Sequence, residues 1–276
     1  MTSATGLDHI GVCTRDGPAL WAAYERLGFA LTPVARQSRR PGEPLGTGNR
    51  CAMLRQGYIE LLAILDPALP DNGLGAMLDR FAGAHILALG MEDSEGNLAR
   101  LRRAGLDIPG IAPLSRPVDA PDGPVARFER LPLPDAPEGR VQLVRHLTPE
   151  LLWQDRWLDH PNAVTALRAA ILVSDRPAES AARLSRLSGL ALEPDPAGGF
   201  ALPLPGEARV RILPPDSLDA LLPGVTPPAL PMVAGMVLAS ADMARTRAAL
   251  PSATETPAGL MVPPEAAGGC ALVFTP

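Results

Sequence analysis

Apolar and polar positions along this chain alternate with period two, then at helical spacing, then with period two again, and the whole succession recurs. Residues 7–14, Leu7-Asp8-His9-Ile10-Gly11-Val12-Cys13-Thr14, have strand character. Asp16 then stands at an N-cap position with Pro18 in the first turn, and Leu20, Ala23, Tyr24 and Leu27 follow at helical spacing up to Gly28. Residues 29–34 read as a second strand, Gly46-Thr47-Gly48-Asn49 as a turn, residues 50–54 as a third strand and residues 58–64 as a fourth. The unit is β-α-β-β-β.

Three further copies follow. In the second, a strand at residues 85–89 precedes a helix over 94–104 with Leu98 and Leu101 on one face and Gly105 at its end, and strands at 126–131 and 140–147 close it. Gly57 to Gly139 and Pro67 to Pro149 share an offset of 82 residues, so the two fourth strands align. In the third copy Asp175-Arg176-Pro177 repeats the cap chemistry of Asp16-Gly17-Pro18, and Ala181, Leu184 and Leu187 lead to Gly189. The fourth runs from Val233 through a helix near Met243 to strands at 260–262 and 270–274. Four units pair into two domains, 1–150 and 161–276, with the boundary at residues 146–162 and a Pro-rich link at 223–231.

Composition narrows the function. Of 276 residues 46% are hydrophobic and 20% charged, enough apolar side chain for a sizeable core. Net charge is −5 without a basic run, which argues against a nucleic-acid partner. No lysine occurs, a usage that reads as a GC-rich bacterial genome and that excludes Schiff-base chemistry. No apolar stretch approaches the roughly 20 residues of a membrane span, and residues 1–7 lack the pattern of a signal peptide, so a cytoplasmic protein is expected. Three widely spaced cysteines, Cys13, Cys51 and Cys270, fit reduced thiols used as small apolar fillers.

Leu7-Asp8-His9-Ile10-Gly11-Val12, the helix ending in Leu27-Gly28-Phe29, and Tyr58-Ile59-Glu60-Leu61 resemble the vicinal oxygen chelate superfamily. Gly46-Thr47-Gly48-Asn49, Trp153 and His160-Pro161-Asn162 are similar to its glyoxalase-like branch. The resemblance implies an α+β fold of four βαβββ modules paired into two open β-barrel-like domains, the glyoxalase, bleomycin-resistance and dihydroxybiphenyl dioxygenase type. It further implies a divalent metal (Zn, Ni, Fe(II) or Mn) holding two adjacent oxygens of a small-molecule substrate, in isomerases, lyases or dioxygenases. Metal-free binders share the fold, so fold alone leaves both readings open.

In that superfamily the ligands come from the first and fourth strands of each unit. The corresponding positions here are His9, Glu60, His85 and, 82 residues beyond Glu60, Gln142. Imidazole, carboxylate and amide oxygen are all competent donors. Glu60 interrupts an otherwise apolar strand and needs a metal or a cationic partner. His85 carries a register problem: His9 to His85 is one residue shorter than Gly28 to Gly105, and a slip of one residue turns a side chain to the other face.

Glu60 and His146 are the candidate catalytic groups, His146 because period two sets it on the face of Gln142 and Val144. A strand-end histidine is the alternative for His146. Arg40, in the run Ser38-Arg39-Arg40, is a candidate for substrate binding against the alternative of a solvated surface, and Arg50 is a candidate for pointing at a ligand or neutralising Glu60. His160 is expected to bond across the domain interface. After residue 160 no histidine occurs, and the counterparts of His9 and Glu60 are Arg168 or Ala170 and Ala208. The second half therefore serves as a scaffold, a lid or an oligomer surface, with a homodimer compatible. Because Gln142 cannot accept a proton, ordinary glyoxalase I activity is not expected. Two functions remain: a metal-dependent enzyme on a small oxygenated molecule, and a metal-free small-molecule binder.

Overall fold

The structure, a computed structural model, describes residues 2–40, 42–120 and 122–276, the side chain of Arg40 excepted. The first unit is β1 (Gly6–Thr14), α1 (Gly17–Arg26), β2 (Ala35–Arg40), β3 (Glu43–Met53) and β4 (Tyr58–Ile64). A short helix, α2 (Leu74–Leu78), leads to the second: β5 (Gly83–Gly90), α3 (Ser94–Arg103), β6 (Ala112–Pro117), β7 (Val125–Pro132) and β8 (Arg140–His146). The third is β9 (Val164–Val173), α4 (Pro177–Ser188), β10 (Glu193–Pro194), β11 (Phe200–Leu204) and β12 (Ala208–Leu213). The fourth is β13 (Met232–Ser240), α5 (Met243–Ala249), β14 (Thr254–Thr256), β15 (Gly259–Val262) and β16 (Ala271–Thr275).

Local chemistry sets the helix ends. The Asp16 carboxylate accepts from the Ala19 N–H to open α1, and Asp93 does the same for α3 through Gly96. Gly28 and Gly105 close these helices at φ of +77° and +75°, a conformation that costs glycine little. The expected third copy of the cap does not form. Helix α4 begins at Pro177 itself, so Arg176 occupies the cap position and Asp175 falls outside it. The Ser174 hydroxyl accepts from the Arg176 N–H instead.

Two strand expectations are corrected. Residues 29–34 are not a strand; β2 begins at Ala35. Gly46-Thr47-Gly48-Asn49 is not a turn but lies within β3. Its glycines answer a close approach: a Cβ on Gly46 would lie 2.2 Å from the Asp66 carbonyl oxygen, and one on Gly48 2.5 Å from Leu65 Cδ1. The Gly46 carbonyl in turn accepts from the Leu65 and Asp66 N–H groups at 2.7 and 3.0 Å.

In the first half the strands run β1-β4-β3-β2-β6-β7-β8-β5, and β5 pairs back with β1, so eight strands close into a barrel. In the second half the order is β10-β11-β12-β9-β13-β16-β15-β14, which does not close among the described residues. The halves join where Val233 of β13 pairs with Ala84 of β5. One apolar cluster runs through both, from Leu20, Tyr24 and Phe29 to Leu272 and Phe274. The Tyr24 hydroxyl donates to the Ala267 carbonyl at 3.3 Å. Arg100 of α3 donates to the Arg186 and Leu187 carbonyls, meeting the free acceptors at the C-terminal end of α4.

A largely enclosed ion pair also crosses between halves. Arg183 of α4 holds Glu138 through Nη2 at 2.6 Å and Nε at 3.1 Å, and the Glu138 side chain is only 1% exposed. Truncating the arginine strands that carboxylate in a dry site. Arg183→Ala should cost ~3 kcal/mol in urea unfolding, and adding Glu138→Ala should recover part of the loss. Equal stability of the single variant and the wild type would show that the pair does not hold the halves together.

Candidate functional site

The strand registers define which residues share the interior of the first barrel. β1 and β4 run parallel with Gly11 beside Glu60 and His9 beside Tyr58. β5 and β8 repeat this with Ala88 beside Gln142 and Ile86 beside Arg140. Glu60 and Gln142 are thus equivalent positions, and the equivalent of His9 is Ile86. Gly11 belongs to the same arrangement, since a Cβ there would meet the Ile86 side chain at 2.7 Å.

His85 therefore does not join the group. One residue before Ile86, it projects from the other face of β5. Its Nε2 bonds the Phe81 carbonyl at 2.7 Å, and its ring stacks on Phe81 with centroids 4.0 Å apart. Burial is the main cause of its lowered pKa, and the imidazole stays neutral there. His9, Glu60 and Gln142, by contrast, line one cavity.

Asp8 orients the histidine. Its carboxylate accepts from His9 Nδ1 at 2.6 Å and from His146 Nε2 at 2.8 Å. Burial works to raise the Asp8 pKa, but the adjacent His146 and His9 and their hydrogen bonds outweigh it, and the carboxyl is held well below its usual range. In the neutral ring whose proton sits on Nδ1, Nε2 presents a lone pair to Glu60 Oε2 across 3.8 Å. Two electron-rich atoms facing each other at that distance call for a cation between them, a proton or a metal ion.

Glu60 is held from the other side. Its Oε1 accepts from the Asn49 amide and from Gln37 Nε2 at 3.3 Å, and Gln37 is itself fixed by a 2.8 Å bond from the Thr47 hydroxyl. Across the cavity Gln142 Oε1 is buried and has no hydrogen-bond partner among the described residues. Tyr58 stacks on the His9 ring with centroids 4.5 Å apart. Burial first, then the Asp8 and Glu60 carboxylates, hold its phenol well above the ordinary value, so it stays neutral.

The remaining expected residues lie elsewhere. His146 sits behind His9 against Asp8, with its ring edge-on to Trp153 at 4.8 Å, and is not part of the cavity wall. Arg50 pairs with Leu61 in the β3–β4 ladder, whereas Cys51 pairs with Glu60, so alternation turns Arg50 outward. It bonds Glu25 at 2.8 Å and the Thr32 carbonyl at 2.8 Å, and neither neutralises Glu60 nor faces the cavity. The Arg40 side chain lies outside the described residues. His160 accepts from the Ala30 N–H at 3.0 Å and bonds the Met53 carbonyl at 2.8 Å, tying the linker to the first barrel.

Sequence reasoning passed over Asp8, Gln37, Arg116, Arg130 and Arg140. One signal was present. Asn49 pairs with Leu62, diagonal to Glu60, and Arg130 pairs with Val144, diagonal to Gln142. Carrying the alignment of the fourth strands back along each hairpin reaches Arg130. In the second half Ala170 and Ala208 are buried, and Arg168 donates to Gln56 Oε1 and the Gly206 carbonyl, so these counterparts of His9 and Glu60 offer no imidazole or carboxylate.

The donors available to a metal are the His9 Nε2, Glu60 Oε2 and Gln142 Oε1 atoms. They fit a divalent ion in that one is an orphaned acceptor and another pair confronts lone pairs. The set contains only two residues of the usual His, Cys, Asp and Glu kinds, and no cluster of three such residues occurs among the described residues. Among them too, no helix is long and apolar enough to cross a membrane.

The cysteines take no part. Burial is the chief cause pushing the Cys13, Cys51 and Cys270 thiols up to about 12, 11 and 12. At pH 8 the native protein should leave an aromatic disulfide reagent unreacted and release three thiols only on denaturation. A rapidly titrating thiol in the native state would contradict this placement.

Residues 7–188 match the family of glyoxalase-like domains. No curated protein matches the chain. Similar solved structures include a hypothetical protein from Staphylococcus aureus, at 13% identity over 98% of each chain and a TM-score of 0.68. 4-Hydroxymandelate synthase from Streptomyces coelicolor matches at 13% identity over 92% of this chain and 78% of its own, with a TM-score of 0.57. The Mn(II)-bound glyoxalase from Novosphingobium aromaticivorans matches at 13% identity over 99% and 82%, with a TM-score of 0.55. At such identities the structural likeness establishes the vicinal oxygen chelate fold, and the sequence match over residues 7–188 establishes the family: the chain belongs to the glyoxalase-like domain family.

Proposed function

We propose that the first barrel is the active site of a divalent-metal-dependent enzyme acting on a small oxygenated molecule, with the ion held by His9, Glu60 and Gln142. The observation that carries this reading is the buried, unpartnered Gln142 Oε1 in the cavity where His9 Nε2 confronts Glu60 Oε2. Oxygen and imidazole donors suit Mn, Fe(II), Zn or Ni, and three protein ligands leave positions open for substrate. When bound, such an ion polarises a substrate carbonyl and stabilises the negative charge that develops on its oxygen.

The chain's own groups supply the rest. Asp8 fixes the His9 tautomer and the orientation of the ring, the usual service of a carboxylate behind a ligating histidine. Asn49 and Gln37 immobilise one Glu60 oxygen and leave the other toward the cavity. Among the described residues Glu60 is the only carboxylate in the cavity wall, so a proton moved on the substrate is moved by Glu60. His146, bonded to Asp8, acts as a positioning group. This favours a proton-shifting isomerase or lyase over ring cleavage.

A second reading, metal-free binding, is favoured by Ile86, which takes the place of a second imidazole. Metal analysis separates the two. Protein dialysed against Mn(II), Zn(II), Ni(II) and Fe(II) in turn should retain about one ion per chain with one of them. His9→Ala should weaken retention by roughly 10- to 100-fold, and Ile86→His should strengthen it. Unchanged ion content and thermal stability in His9→Ala would sink the metal reading.

A further inference from the structure

Three guanidinium groups, those of Arg116, Arg130 and Arg140, line the cavity that holds Glu60. None of them forms an ion pair among the described residues. Arg116 is buried, donates to Asn49 Oδ1 at 3.1 Å and lies 5.9 Å from the Phe128 ring centre. Arg140 donates to the Asn72 carbonyl at 2.6 Å. Arg130 Nε is buried and unpartnered. Three cations thus face one carboxylate, and that carboxylate is already held by two amides.

The repeat shows how the imbalance arose. At diagonal positions of β3 and β4 the first unit sets a neutral donor, Asn49, beside an anionic acceptor, Glu60. At the same positions of β7 and β8 the second unit sets a cationic donor, Arg130, beside a neutral acceptor, Gln142. Relative to the first hairpin, the second carries one more positive charge and one fewer negative charge at these positions. Burial pushes the Arg130 pKa down to about 10, with Arg140 adding to the shift and Glu60 opposing it. Arg130 is half-buried with its Nε enclosed and unpartnered, and an anion entering the cavity would supply the counter-charge that the described residues do not.

We propose that the cavity binds a small organic oxyanion whose charged end is held by Arg130 with Arg116 and Arg140, and whose short apolar body lies against Ile86, Leu114, Phe128 and Val144. Guanidinium groups grip carboxylate and phosphate oxygens in pairs, and the apolar side chains beside them on the same wall leave one end of the cavity for an uncharged body. The proposal rests on reading this cavity as the substrate site, and not on the presence or identity of the ion.

Isothermal titration of the full chain tests it, with phenylacetate, phenyl phosphate and the neutral benzyl alcohol, each in chelator and again with Mn(II). Phenylacetate or phenyl phosphate should bind in chelator at least ~10-fold more tightly than benzyl alcohol, and the affinity should fall as salt rises. The tighter of the two anions identifies the oxyanion. Arg130→Gln should weaken that anion by about 10-fold while keeping or raising the thermal midpoint of the unliganded protein, since it removes a half-buried charge with no ion-pair partner. Arg140→Gln should weaken it too. A structural arginine would instead lower the midpoint. Benzyl alcohol binding as tightly as the anions, no anion binding in chelator, or Arg130→Gln with unchanged affinity would overturn the proposal. Anion binding in chelator without metal retention would leave it standing and remove only the metal.

Discussion

The antiparallel pairing of β1 with β5 is the constraint on which the first half depends. It closes the barrel, and it relates the first two units by an approximate two-fold axis that sets Gly11 against Ile86. The bulky side chain requires the missing one, because the two strands leave no space for both. Once that contact is made, the inward positions of β4 and β8 follow. Glu60 and Gln142 face the interior as equivalents, and His9 and Ile86 do likewise. The site is thus an incomplete copy of itself, with polar chemistry on one unit and its partly apolar shadow on the other.

That asymmetry divides the cavity electrically. On the side of the first unit Asp8 stands behind His9 and two amides stand behind Glu60. These contacts orient an imidazole lone pair and a carboxylate oxygen toward a common gap. On the side of the second unit guanidinium groups face inward around an uncharged amide. A cation at the one end and an anionic substrate at the other are compatible occupants. Each lowers the cost of the other, because opposite charges in a poorly hydrated cavity attract strongly.

Much of this was legible in the sequence. The four units, their helices, the closing glycines and the equivalence of Glu60 with Gln142 follow from periodicity and from one constant offset. What escaped did so for identifiable reasons. His85 was separated from failure by a single residue, and the offset between Gly28 and Gly105 was the correct one. Gly46 and Gly48 carry the same letters whether they make a turn or admit the loop packed over them, and only the third dimension separates those uses. Arg50 and Asn49 are neighbours in sequence on opposite faces, and without the register nothing says which one enters. Asp8 is invisible to a search for metal ligands because it acts through its neighbour.

The second half holds no counterpart of the site, yet it shares one apolar core with the first through Leu20, Tyr24 and Phe274. This binds the two halves to different evolutionary rules. Positions in the first barrel are restricted by what they must hold, whereas those in the second are restricted by the volume they must fill. Volume-conserving substitutions such as Leu for Met at Met236 or Met for Leu at Leu272 are tolerated there while shape is kept. The part of the chain with no chemistry of its own is free to drift in letter while remaining fixed in outline, as the outer wall of a room furnished only on the other side.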